Sequence, residues 1–267
     1  MAESFFFGRA ESPLFGVYHA PLSAADRDLG IVVCAPVGRE YTKTHRALRQ
    51  LALRLARLGF HVLRFDYRGC GDSSGEPVDA DLGRWAEDVG RAADELEDRA
   101  GLVKVGLVGL RLGGTLALLA ARRRRDVEAV VLWEPVLEGR RHLTDLSASN
   151  ARWEAERGLP PQAAAPDGTA GLHGFPMGRL LRQSLEQLAW TFERRPARRA
   201  LLLRELSDPA EDALHAQLEK HGVDLEVRTT PPERFWQDAD DGNRMFVPNA
   251  SLRVVTSWLE GGTACEN

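Results

Sequence analysis

The chain has 267 residues, 43% apolar and 28% charged, which is ordinary globular usage and argues against wholesale disorder. Its 35 Lys and Arg against 39 Asp and Glu give a net charge of −4, so the basic balance expected of a generic nucleic-acid-binding protein is missing. Three Cys supply neither a disulfide framework nor a metal-ligand spacing, and no apolar run reaches the ~18–20 residues that span a bilayer. The opening MAESFFFGRAESP is too short and too polar for a signal peptide, so the expectation is a cytoplasmic protein.

Short apolar runs alternate with amphipathic stretches, the pattern of a mostly parallel sheet covered by helices. Strands are expected at Leu14–His19 and Gly30–Ala35, followed by a helix over Thr44–Leu58 with Leu48, Leu51, Leu55 and Leu58 on one stripe. His61–Phe65 is the next strand. Asp81–Ala100 is a helix with Leu82, Trp85, Val89, Ala92 and Leu96 as its apolar face. Val103–Val108 is a strand, Gly113–Arg125 a helix and Val127–Trp133 a strand. Strands Ala200–Leu206 and Asp224–Thr229 and a helix Ala250–Glu260 complete the order. Residues 134–196 break the alternation. They are rich in Pro, Gly and Ala around LPPQAAAPDGTAGLHGFPMG, with a helix over Arg179–Phe192. The expected organisation is a core from 1–133 and 197–267, with 134–196 as a lid inserted after strand 6, over the carboxyl ends of the strands.

One turn concentrates the chemistry. Gly109-Leu110-Arg111-Leu112-Gly113-Gly114 joins a strand to a helix in the shape of a nucleophile elbow, G-x-S-x-G, where only small residues fit two places either side of the centre. Both glycines are present, but the centre is Arg111. Upstream, Asp66-Tyr67-Arg68-Gly69-Cys70-Gly71-Asp72-Ser73 follows a strand and matches D-x-R-G-x-G-x-S.

With these two motifs in this order, the sequence resembles the α/β-hydrolase superfamily, on its serine-aminopeptidase-like side. It is more closely similar to the α/β-hydrolase-like proteins associated with exosortase A systems, through FFFG…LFGVYHAP, CAPVGREY, GLRLG and VLWEPV. The resemblance implies an α/β-hydrolase fold and Arg at the elbow as a trait of the group, but no established reaction. It also implies an oxyanion loop at Ala35–Gly38, with the Val37 and Leu112 amides as donors, and an acid position at Asp208 in ELSDP.

Two catalytic roles are empty. Arginine stays protonated and cannot attack a carbonyl. The stretch from Asp238 to Asn249, where the triad His belongs, contains no His. Ordinary Ser-His-Asp hydrolysis is therefore not expected. Cys34, Cys70, Ser73 and Ser74 read as packing or turn residues, and His142 and His173 as packing or surface residues. The run Arg122–Arg125 sits ~17–21 Å along the helix from the elbow and reads as a solvated helix end. The lid aromatics Trp153, Phe175 and Trp190 fit either core or a pocket lining.

Arg111 combines a fixed charge and a fork of donors with the electropositive start of a helix. Two readings stay open. Arg111 anchors a carboxylate, phosphate or thioester-linked carrier group under the lid, or it is plugged by Glu134, Glu40 or Asp208. The functions to be separated are a serine-independent enzyme on an acyl or carboxylate substrate, a pseudo-hydrolase that binds an anionic or carrier-linked acyl ligand, and a scaffold subunit with a closed site. No spacing implies a metal, and GLVGLRLGG lacks the dinucleotide fingerprint, so no cofactor is expected.

Overall fold

A computed structural model describes residues 2–23, 27–160, 165, 168–233, 235–236 and 247–261. Its centre is an eight-stranded sheet in the order β1-β2-β4-β3-β5-β6-β9-β10. The strands are β1 (Ala2–Arg9), β2 (Ser12–His19), β3 (Gly30–Cys34), β4 (His61–Phe65), β5 (Val105–Leu110), β6 (Val127–Trp133), β9 (Arg199–Arg204) and β10 (Asp224–Thr229). β1 and β2 form an antiparallel hairpin, β2 meets β4 antiparallel, and all later pairs are parallel. β3 and β5 are buried at every residue, as strands covered on both faces must be.

Helices α1 (Gly38–Arg57) and α7 (Asn249–Glu260) cover one face, and α2 (Leu82–Ala100) and α3 (Leu112–Ala121) the other. The expected stripes are realised: Leu48, Leu51 and Leu55 are buried, as are Leu82, Trp85, Val89, Ala92 and Leu96, while Leu58 is half-buried. α3 is buried at all ten positions, which makes it the central helix. α6 (Ala210–Lys220) links β9 to β10.

α3 stops at Ala121, four residues short of the expected end. The chain turns at Arg122–Arg125, and Arg124 folds back onto Glu97 (2.8 Å), Asp94 and Asp126. Its side chain is only 14% exposed, so at Arg124 the run is an ion-pair knot and not a solvated helix end.

β6 and β9 are parallel neighbours, so residues 134–198 form one crossover. It carries α4 (Gly139–Glu156), a small hairpin of β7 (Ala170–Leu172) and β8 (Phe175–Met177), and α5 (Arg179–Glu186), which ends six residues before Phe192. α4 and β1 were not expected from the sequence. Among the described residues, no helix is long and apolar enough to cross a membrane.

Candidate functional site

The register aligns Cys34 with Gly109, Leu110 with Trp133 and Trp133 with Leu203. The residues just beyond these strands therefore meet at the carboxyl edge of the sheet. Arg111 holds φ 53° and ψ −126°, between β5 and α3. A non-glycine residue there costs about 1–3 kcal/mol and persists only where its surroundings enforce it. They do so here: a Cβ on Gly109 would strike the backbone of Gly113, and a Cβ on Gly113 would strike the carbonyls of Cys34 and Ala35. The elbow backbone is thus intact, although its central side chain is an arginine. Glu134 beside it also has positive φ, 46°.

The guanidinium is held from three sides. Nε donates to Glu40 Oε1 at 3.0 Å, and Nη1 donates to the backbone carbonyl of Glu134 at 3.2 Å. Trp236 lies beneath it, 5.5 Å from ring centre to Cζ, within cation–π range. Trp236 packs on Phe235, and Phe235 on Trp133. Nη2 has no protein partner among the described residues. The Arg111 and Glu40 side chains remain 20% and 16% exposed.

The amide positions follow from the fold. Val37 is the N-cap of α1, extended at φ −118°, and Leu112 is the first residue of α3. First-turn amides have no acceptor within their own helix. The close approach of Gly113 to the Cys34 and Ala35 carbonyls sets the first turn of α3 against the end of β3, three to four residues before α1 begins. Glu40, in the first turn of α1, sits where the helix dipole favours an anion.

The Asp66–Gly75 loop props this corner. Tyr67 Oη donates to the Ala35 carbonyl at 3.0 Å, and Tyr41 Oη of α1 donates to Asp66 Oδ1 at 2.8 Å. Arg68 Nε reaches both Asp88 oxygens at 3.0–3.1 Å, Nη2 reaches Oδ1 at 2.7 Å, and the Arg68 amide donates to Oδ2 at 3.0 Å. Ser73 Oγ donates to the Asp66 carbonyl at 2.6 Å. Ser73 thus serves the turn, and burial pushes the Cys70 thiol up to about 12 and that of Cys34 higher still. Neither thiol is a thiolate at neutral pH.

Of the expected partners, Glu40 meets Arg111 through its carboxylate, whereas Glu134 meets it through its carbonyl. The Glu134 carboxylate accepts from the Glu205 amide. Asp208 is not brought to the elbow. It caps the start of α6 through Ala210 N (3.0 Å) and pairs with Arg141 Nη1 (3.0 Å) at the surface. Most of the His-free stretch 238–249 lies outside the described residues, which resume at Val247.

Sequence reasoning missed two neighbours, Trp236 and Glu205, and read a third, His142, as a packing or surface residue. Trp236 comes from a loop far along the chain, and the adjacent aromatics of RFWQD were its only signal. Glu205 is buried just beyond β9 and accepts the Glu233 amide at 2.5 Å. His142, on α4, is 7% exposed. Burial lowers its pKa to about 4, with Glu40 and Asp145 opposing the shift and Arg111 adding to it. It therefore stands neutral within the electrostatic reach of the Arg111–Glu40 pair.

Two cavities are found among the described residues. One of about 280 Å³ is inside the crossover, bounded by Leu143, Thr144, Leu172, Met177 and Arg182. One of about 120 Å³ is bounded by Ala35, Tyr41, Arg64 and Asp66. Among the described residues there is no cluster of His, Cys, Asp and Glu able to hold a metal.

The doubly covered parallel sheet and the elbow define an α/β-hydrolase fold. The family model for serine aminopeptidase, S33, matches residues 31–163, just under half of the chain, and the chain is similar to α/β-hydrolases in sequence there and in fold throughout. A hypothetical protein from Pseudomonas aeruginosa superposes with a TM-score of 0.66 at 18% identity, covering 98% of this chain and 94% of that one. An esterase from Pyrococcus furiosus gives 0.63 at 12% identity, covering 99% and 92%. The human mitochondrial palmitoyl-protein thioesterase ABHD10 is 43% identical over 69 residues, 26% of this chain and 21% of that protein. The matched segment thus spans about a fifth of that relative's length.

Proposed function

We propose that the protein binds a small carboxylate or acyl-type ligand, free or thioester-linked to a carrier, at Arg111 without forming an acyl-serine. The observation that carries this reading is the guanidinium itself. It stands at an intact elbow, is tied through Nε and Nη1, and has no protein partner at Nη2 among the described residues. The Val37 and Leu112 amides beside it need no side chain to polarise a carboxylate or carbonyl oxygen. A relative named as a palmitoyl-protein thioesterase is consistent with an acyl ligand. No residue in this reading supplies a nucleophile, so binding without turnover is the simplest activity. Asp208, paired with Arg141, has no part in it.

The Glu40 contact favours a second reading, a hydrolase fold whose site is closed and whose role is to dock other proteins. Calorimetry with octanoate and with methyl octanoate separates the two. Saturable binding of either compound, at least about tenfold weaker in Arg111→Gln, supports the first, and preference between the two tells a carboxylate ligand from an ester-like acyl one. No binding, or equal binding in both proteins, supports the second.

A further inference from the structure

The two edges of the main sheet are built differently. β10 carries alternating charged side chains, Asp224, Glu226 and Arg228, on one face of an edge strand, a common defence against pairing with another chain. β1, at the other edge, carries three consecutive phenylalanines in its middle. Phe7 is buried, Phe5 lies under the Arg99 guanidinium at 3.8 Å, and Phe6 points to the opposite face. Phe6 is 61% exposed, with Phe15 stacked edge-on against it at 5.5 Å.

The strand is also complementary to itself. An antiparallel pairing about a twofold axis must bring outward-facing backbone groups of one copy against outward-facing groups of the other. That condition allows registers with one residue on the axis and excludes those with the axis between two residues. With Phe6 on the axis, Glu3 faces Arg9, Ser4 faces Gly8 and Phe5 faces Phe7. Moving the axis to Phe5 sets Glu3 against Phe7 and loses both charge pairs; moving it to Phe7 shortens the ladder and leaves Arg9 facing Phe5. Gly8, at φ 83°, twists the end of the strand, and the long Arg9 side chain can span that twist. Glu3 already holds Arg99 at 3.3 Å, whereas Arg9 has no partner among the described residues.

We propose that β1 is a homodimer interface: two copies join their edges antiparallel about Phe6, extending the two sheets into one and pairing Glu3 with Arg9 twice. The interface is isologous, as a closed dimer requires. It buries the most exposed aromatic ring of the described residues and satisfies a row of open backbone groups.

Sedimentation equilibrium up to about 100 µM chain tests this, because a dimer's population depends on protomer concentration. The wild type should sediment as a dimer at the top of that range. Phe6→Lys, which sets two like charges on the axis, should weaken association at least about tenfold. Glu3→Arg and Arg9→Glu should each weaken it, and the double exchange should restore it, because only residues that face each other can be swapped with rescue. Circular dichroism melts check that each variant is folded. A wild type that is monomeric throughout, a dimer indifferent to Phe6→Lys, or a double exchange no better than its single parents would overturn the proposal. None of these residues belongs to the Arg111 site, so the outcome is independent of carboxylate binding.

Discussion

The molecule holds two arginine–carboxylate pairs at the same corner, and they are built for different ends. Arg68 uses Nε, Nη2 and its amide on Asp88, whose side chain is fully buried. Both oxygens of that carboxylate are engaged by Arg68, Arg91 Nη1 adds a contact at 3.4 Å, and the pair fixes the Asp66–Gly75 loop to α2. Arg111 makes one bond to a carboxylate and one to a carbonyl, and both partners in its ion pair keep some exposure. A saturated pair is a structural pin. An incompletely satisfied pair at a helix start can accept another anion. The contrast implies that losing Asp88 costs stability, whereas losing Arg111 costs binding.

The largest effect should follow Asp88→Ala. Removing the buried carboxylate takes away the main partner of Arg68, which is itself 24% exposed and keeps Glu87 at 3.6 Å, and should cost about 1.5–3 kcal/mol, read from urea midpoints. Arg111→Gln should change the same midpoint by less than about 1 kcal/mol, since its ion pair is partly exposed and the left-handed backbone stays equally costly. Equal losses in the two variants would erase the distinction.

The next effect concerns pH. His142 and His19 are both lowered to about 4, chiefly by burial. The unfolded chain binds their protons near pH 6.5, while the fold resists them until about pH 4. Their contribution is complete above about pH 6.5 and is lost as pH falls toward 4, by about 1–3 kcal/mol for each buried ring. His142→Gln should flatten this acid limb, as measured by urea unfolding at a series of pH values. An unchanged limb would show that His142 is not held neutral.

The site predictions are smaller. Arg111→Ser should gain no substantial esterase activity toward p-nitrophenyl butyrate, because the elbow would then have a nucleophile but no general base. Robust turnover would reveal a base within reach, with His142 the first to test. Glu40→Gln, by releasing Nε from an ion pair, should tighten octanoate binding by roughly threefold, within the range of a partly exposed pair. Weaker binding would mean that Glu40 orients the guanidinium more than it competes for it.

The sequence exposed the backbone of this site more fully than its side-chain chemistry. Gly109, Gly113 and the Asp66–Gly75 loop are local necessities of turns, and their motifs located the elbow. Glu40 was accessible because it lies three residues from Val37 in the APVGREY loop, although the sequence starts the helix at Thr44 and the structure starts it at Gly38. Asp208 occupies the position the resemblance implies, yet Arg141 of α4 draws it to the surface, and α4 itself was hidden. The buried residues of α4 include His142, Asn150 and Glu154, so it has no apolar stripe for a 3.6-residue period to reveal. β1 was missed for a related reason: AESFFFGR runs its aromatics together instead of alternating them, and only Phe7 is fully buried. Trp236 reaches Arg111 by a tertiary contact across more than a hundred residues, which local pattern does not encode.

A crystal structure of the protein grown with octanoate, read at the Arg111 guanidinium, tests the central claim most directly. The account predicts a carboxylate within about 3 Å of Nη2, facing the Val37 and Leu112 amides, with the contact to Glu40 kept or loosened. An Arg111 bound to Glu40 and the Glu134 carbonyl, with octanoate absent or seated elsewhere, would contradict it.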